Sequence, residues 1–153
     1  DQSSQTVCRL IHSCFRSQEG FHSAAQVVED AGLKRLLGIY AQQRTRFAEE
    51  LRVCMPSSLE FDALSDPEQP ERTVLEDDGA AGLLAECVES DRRTLALYRE
   101  ALADRSIPTR AHFLISAQCS LLQRVHDRMY GLLSASSMSS VNPTISQGER
   151  VRL

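Results

Sequence analysis

The chain has 153 residues and a mass of 17.0 kDa, with 42 % apolar residues and a formal net charge of −4. That length suits one domain rather than two, and the apolar fraction allows a packed core without disulfide or metal support. No stretch approaches the ~20 apolar residues of a membrane span, no amino-terminal segment reads as a secretory signal, and no basic stripe or arm offers itself to nucleic acid.

Only seven Gly and five Pro punctuate the chain, and the β-branched runs that mark strands are missing. Apolar residues recur instead at helical spacing in four segments. The first runs from about Gln5 to Asp30, with Val7, Leu10, Ile11, Cys14, Phe15, Phe21, Ala25 and Val28 as its stripe. The Asp30-Ala31-Gly32 turn closes it, with Gly32 suited to a left-handed C-terminal position. The second runs from about Leu33 to Met55, with Leu33, Leu36, Tyr40, Phe47, Leu51 and Cys54 inward, and Pro56-Ser57-Ser58 stops it. From 56 to 78 the pattern dissolves around Asp66-Pro67 and Gln69-Pro70, which reads as a long connection. The third helix begins near Gly79, capped by Asp77 or Asp78, and continues to about Asp104 with Leu84, Cys87, Val88, Leu95, Tyr98 and Leu102 inward. Ser106 and Pro108 open the fourth, whose stripe is Leu114, Ile115, Leu122, Val125, Met129 and Leu133, ending near Ser134. Residues 135–153 are Ser-rich and read as a mobile tail.

Helices of ~25 residues are ~37 Å long at 1.5 Å per residue. The first two and the last two are joined by short links, which makes antiparallel hairpins. The link over 56–78 can extend to ~75 Å, enough to travel the bundle from end to end. The expected fold is therefore all-α: one four-helix bundle over residues 1–134, with a long crossover between helices 2 and 3 that leaves those two parallel.

Five Cys occur, an odd number with no CxxC pair, and all lie in helical patterns. They read as small apolar core residues in a reducing, cytoplasmic compartment rather than as disulfides or a thiolate zinc site. Cys119 with His126 is the one pair with a thinkable activator. Sixteen of the 17 basic residues are Arg, which suggests a GC-rich, bacterial coding sequence.

The apolar stripes are interrupted. At ~100° per residue, Gln18 and His22 fall within the first stripe with Glu19 on its edge. Gln43 and Glu50 fall within the second, flanked by Arg44 and Arg46. Asp91 sits in the middle of the third, Gln118 inside the fourth and His126 on its edge. In the crossover topology Glu19, His22, Gln43, Asp91 and His126 share one layer ~5 Å thick, and Glu50 and Gln118 fall together roughly 9 Å lower. Buried carboxylates demand compensation. It can come from a divalent ion (Fe, Mn or Zn) on Glu19, His22, Asp91 and His126. It can come from the charge of Arg44 or Arg46, or from water and amides in a closed network.

Glu19-Gly20-Phe21, Ala24-Ala25, Ala41-Gln42-Gln43-Arg44, Phe47 and Glu50-Leu51 follow one another in order. Asp91 precedes Tyr98 by seven residues, Ala101-Leu102 follow, and His126-Asp127-Arg128-Met129 comes last. Together these resemble the bacterial ferritin-like family known as domain of unknown function 2383, over about Val7 to Leu133. The resemblance implies a ferritin-like four-helix bundle and no particular activity. Ferritin-like di-iron proteins carry a Glu on each of two helices and Glu-x-x-His on the other two. Here the corresponding positions hold Glu19-x-x-His22, Gln43 with Arg46, Asp91, and Gln123-x-x-His126. Gln is a poor iron ligand and Arg is none.

The expectation is thus a non-catalytic ferritin-like bundle that requires no cofactor and acts through homo-oligomerisation, most simply as a dimer, or through a protein partner. Leu37, Ala48, Leu97 and Ala103 form a candidate dimer flank. The alternatives are a metal-binding protein, in the extreme an oxidoreductase, and a helical module holding a small ligand near Gln43, Gln118 and Tyr40.

Overall fold

Four helices make up the fold: α1 (Gln2–Val27), α2 (Ala31–Val53), α3 (Gly79–Ala103) and α4 (Thr109–Val151). The computed structural model describes residues 2–55 and 79–151, with side chains through residue 135. The expected crossover over 56–78, and with it Asp77 and Asp78, lies outside the described residues. No strand occurs among those that are described.

The helix ends show what local chemistry decides. Asp30 does not close α1. It is extended (φ −65°, ψ 120°) and its side chain accepts from Leu33 N at 2.8 Å, so it is the N-cap of α2. Gly32 accordingly lies inside the first turn of α2, and among the described residues the one glycine at positive φ is Gly79 (φ 55°), which opens α3 in the left-handed region where a Cβ would be strained. Between α3 and α4, Asp104 accepts from both the backbone N (2.9 Å) and the hydroxyl (2.7 Å) of Ser106. Pro108 O then accepts from His112 N at 2.9 Å, starting the new helix. His112 also reaches back, its Nε2 3.2 Å from Leu102 O in the last turn of α3. The fourth helix continues past the expected end at Ser134 and keeps helical backbone to Val151.

Side-chain pairs set the topology. Ser13 meets Thr94, Cys14 meets Tyr98 and Ser17 meets Asp91, so α1 and α3 run antiparallel. Tyr98 meets Gln118 and Leu102 meets His112, so α3 and α4 do too. Cys8 lies by Met55 and Phe21 by Tyr40, which makes α1 and α2 antiparallel. Hence α2 and α3 are parallel, as expected from the long connection.

The core falls into two apolar clusters. One contains Leu10, Ile11, Phe47, Leu51, Tyr98 and Leu122; the other contains Phe21, Leu37, Tyr40, Cys87, Val125 and Met129. The proposed dimer flank is not a surface: Leu37 and Ala48 are fully buried in these clusters, and only Ala103 of that set is exposed. Phe15, read as core, is 38 % exposed, because the inward face of α1 is turned toward Ser13 and Ser17.

Candidate functional site

Between the two clusters lies a polar layer drawn from three helices. Arg44 of α2 is fully buried, and its Nη2 donates to Asp91 Oδ2 of α3 at 2.9 Å. The guanidinium carbon sits 5.3 Å from the centroid of the Phe21 ring, a cation–π arrangement made stronger by exclusion of water. From α1, the Ser17 hydroxyl donates to Asp91 Oδ1 at 3.4 Å. Thr94 lies 3.5 Å from Ser17 and 2.6 Å from Ser13, and donates to Ser90 O at 3.0 Å. These hydroxyls are small enough to let α1 approach α3 closely while supplying the acceptors and donors that a buried carboxylate needs.

Burial pushes the Asp91 carboxyl above its ordinary range. The charges of Arg44 and His126 and the hydrogen bonds from Ser17 and Arg44 pull it down but do not overcome the loss of water. Arg44 is incompletely satisfied: its Nε and Nη1 are buried and have no partner among the described residues, as are Gln43 Oε1 and His126 Nδ1.

One level down is a second network. Tyr98 OH donates to Gln118 Oε1 at 2.7 Å, and Gln118 Nε2 donates to Phe47 O and Glu50 Oε1, each at 3.3 Å. Cys14 Sγ is 3.3 Å from the same phenol. Burial raises the phenol of Tyr98 well above its usual range and the Cys14 thiol to about 11. The Cys87 thiol is pushed to about 12, by burial first and then by the charges of Asp91 and Glu86. None of these groups is an activated nucleophile at neutral pH. Burial also raises Cys119, and seven positions along one helix hold it ~10 Å from His126, so the two are no catalytic pair.

The sequence-derived site residues divide. Asp91 is central and buried. Gln118 is buried, with Glu50 beside it, as the expected lower pairing has it, although Glu50 itself is largely exposed. Gln43 and His126 are half-buried at the rim. Glu19, His22 and Arg46 are exposed, and His22 is 3.2 Å from Gln26 Nε2 one turn along its own helix. Among the described residues no group of three or more His, Cys, Asp or Glu is placed to hold a metal ion. Arg44, which flanks the stripe and is one of the two cations expected to offset the carboxylates, is the centre of the layer, and Ser13, Ser17 and Thr94 join it beyond the expected set. The signal for the hydroxyls lay in their spacing: Ser13, Ser17 and Phe21 recur every four residues, and Thr94 is one turn from Asp91.

No helix among the described residues is long and apolar enough to cross a membrane. No protein-family model matches the chain, and no curated protein matches it.

Proposed function

We propose that the chain is a ferritin-like bundle in which a guanidinium takes the place of a metal ion, and that it is non-catalytic and acts through its surface, by oligomerisation or partner binding. The observation that carries this reading is the Arg44–Asp91 contact of 2.9 Å with both side chains withdrawn from solvent. The carboxylate that would anchor a divalent ion already faces a permanent cation, which an incoming ion of like sign would have to displace. The two antiparallel hairpins with parallel middle helices are the connectivity of ferritin-like folds, which supports the kinship suggested by the motifs. The Arg-rich composition and free thiols fit a bacterial, cytoplasmic setting.

A second reading, a divalent ion on Asp91 and His126 without the exposed Glu19 and His22, draws on one observation. His126 Nδ1 is buried without a partner among the described residues, and its ring is near enough to Asp91 for their charges to interact. Elemental analysis of protein purified without chelator or metal-affinity resin separates the two. The scaffold reading expects far less than one Fe, Mn or Zn per chain, unchanged by His126→Ala. A full equivalent that His126→Ala removes overturns it.

A further inference from the structure

Of the neighbouring helix pairs, α2 and α4 pack least closely. Side-chain bonds fix which sides of the two helices meet across this furrow. Glu50 accepts from Gln118, so the side of α2 that carries Glu50 faces α4. Arg46 and Ile39 share that side, one turn and three turns back from Glu50. On α4, His112 and Gln123 reach Leu102 and Arg99 of α3. Leu121, Arg124, Arg128 and Leu132, at spacings of three and four, lie round on the opposite side and so face α2. All six are exposed, the apolar ones by 54 % (Ile39), 39 % (Leu132) and 37 % (Leu121).

Gln118 lies opposite Phe47 and the two helices are antiparallel, so each step along α4 matches a step back along α2. Travelling up from Arg46, the furrow then presents Leu121 after ~3 Å, Arg124 after ~7 Å, Ile39 after ~10 Å, Arg128 after ~13 Å and Leu132 after ~20 Å. Cationic and apolar groups alternate over that length. The nearby acids stand apart from it: Glu49 and Glu50 lie below Arg46, and Asp127 is turned to Gln123 on the α3 side. Among the described residues none of the three guanidiniums makes an ion pair, whereas Arg9 of α1 and Arg92 of α3 are held by Glu100 and Glu89.

We propose that the α2–α4 furrow is the docking site for an acidic amphipathic helix of a partner protein. Three uncompensated cations set among exposed apolar side chains are complementary to an anionic surface that is itself partly apolar. A nucleic-acid backbone supplies the charge without the apolar line, and a bilayer surface rewards an apolar face that projects rather than one lying between two helices. A helix satisfies both terms: its apolar stripe lies along Leu121, Ile39 and Leu132, and its Asp or Glu flanks reach Arg46, Arg124 and Arg128. The inference rests on the reading of a protein that acts through its surface and names the class of its partner. Metal content and helix binding are separate readouts, so either idea can fail alone.

Fluorescence anisotropy on the full chain with labelled peptides of about 18 residues, long enough as helices to cover the furrow, is the test. The probes are an amphipathic Leu/Glu helix, its Leu/Lys counterpart, and a scramble of the first that keeps its composition and breaks its apolar stripe. The Leu/Glu helix is expected to bind with a Kd below about 100 μM at about 50 mM salt, at least about tenfold more tightly than either control. Arg46→Glu, Arg124→Glu and Leu121→Asn each weaken that binding at least about fivefold with unchanged far-ultraviolet circular dichroism, while Arg93→Glu on α3 leaves it within about twofold. No saturable binding, equal binding of either control, or indifference to the furrow variants overturns the proposal. So does tighter binding, lost in the same variants, to phosphatidylglycerol–phosphatidylcholine vesicles or to a DNA duplex.

Discussion

Arg44 heads the fully buried side chains in volume, and it is a cation. Two of its donor groups lack partners among the described residues, so the pair with Asp91 and the ring of Phe21 must offset most of its desolvation. Removing one member of such a pair leaves the other charge stranded. Arg44→Met and Asp91→Leu alone are each expected to cost about 3–5 kcal/mol in urea unfolding, while the double variant recovers most of that loss. The pH dependence has a definite sign. Burial holds the Asp91 carboxyl above its unfolded value, so the native state takes up the proton first. Its contribution is full below an unfolded value of ~3.9 and is lost as pH rises through that range toward the raised folded value. The unfolding free energy of wild type minus that of Asp91→Asn is therefore expected to decline as pH climbs from about 3.5. A difference that grows with pH would show that Arg44, not burial, dominates. Asp91 was legible in the sequence because an acid in mid-stripe has no cheap explanation. Arg44 was legible as one of two flanking cations able to offset that acid, but nothing in the pattern chose it over Arg46, because a long cation next to a stripe ordinarily snorkels outward.

The helices themselves were legible from their ~100° periodicity, and their ends less so. A Gly two residues after an Asp serves equally as the end of one helix or the first turn of the next. Only the bond from Leu33 N to Asp30 decides between them. Asp30→Ala is expected to lower stability by about 1 kcal/mol in thermal or urea unfolding. Gly38 is a second test of the same element: an added Cβ meets nothing within 4 Å, so Gly38→Ala should raise stability by up to about 1 kcal/mol. The periodicity of α1 points its face away from the observed one for a physical reason. Large apolar residues weigh most in a periodicity, yet the contact with α3 is made by hydroxyls, and Phe15 is left at the edge.

For the molecule as a whole, the contrast between two short links and one of 23 residues (56–78) carried the topology, and hence the shared height of the polar positions. What the heights could not give was direction around each helix. Glu19 and His22 sit at the right level but on the exposed side of α1, which contributes Ser13 and Ser17 instead, and His126 of α4 stays at the rim, so three helices contribute where four were expected. On α4 the apolar line passes from Leu122 straight to Val125, and His126 stands at the margin. That asymmetry bears on how the rod comes apart. At the level of Ser17, Arg44 and Asp91 the apolar packing is interrupted on three helices and runs on only along α4, whose own break at Gln118 lies one level down, so the belt is a seam between two apolar halves and α4 is what bridges it.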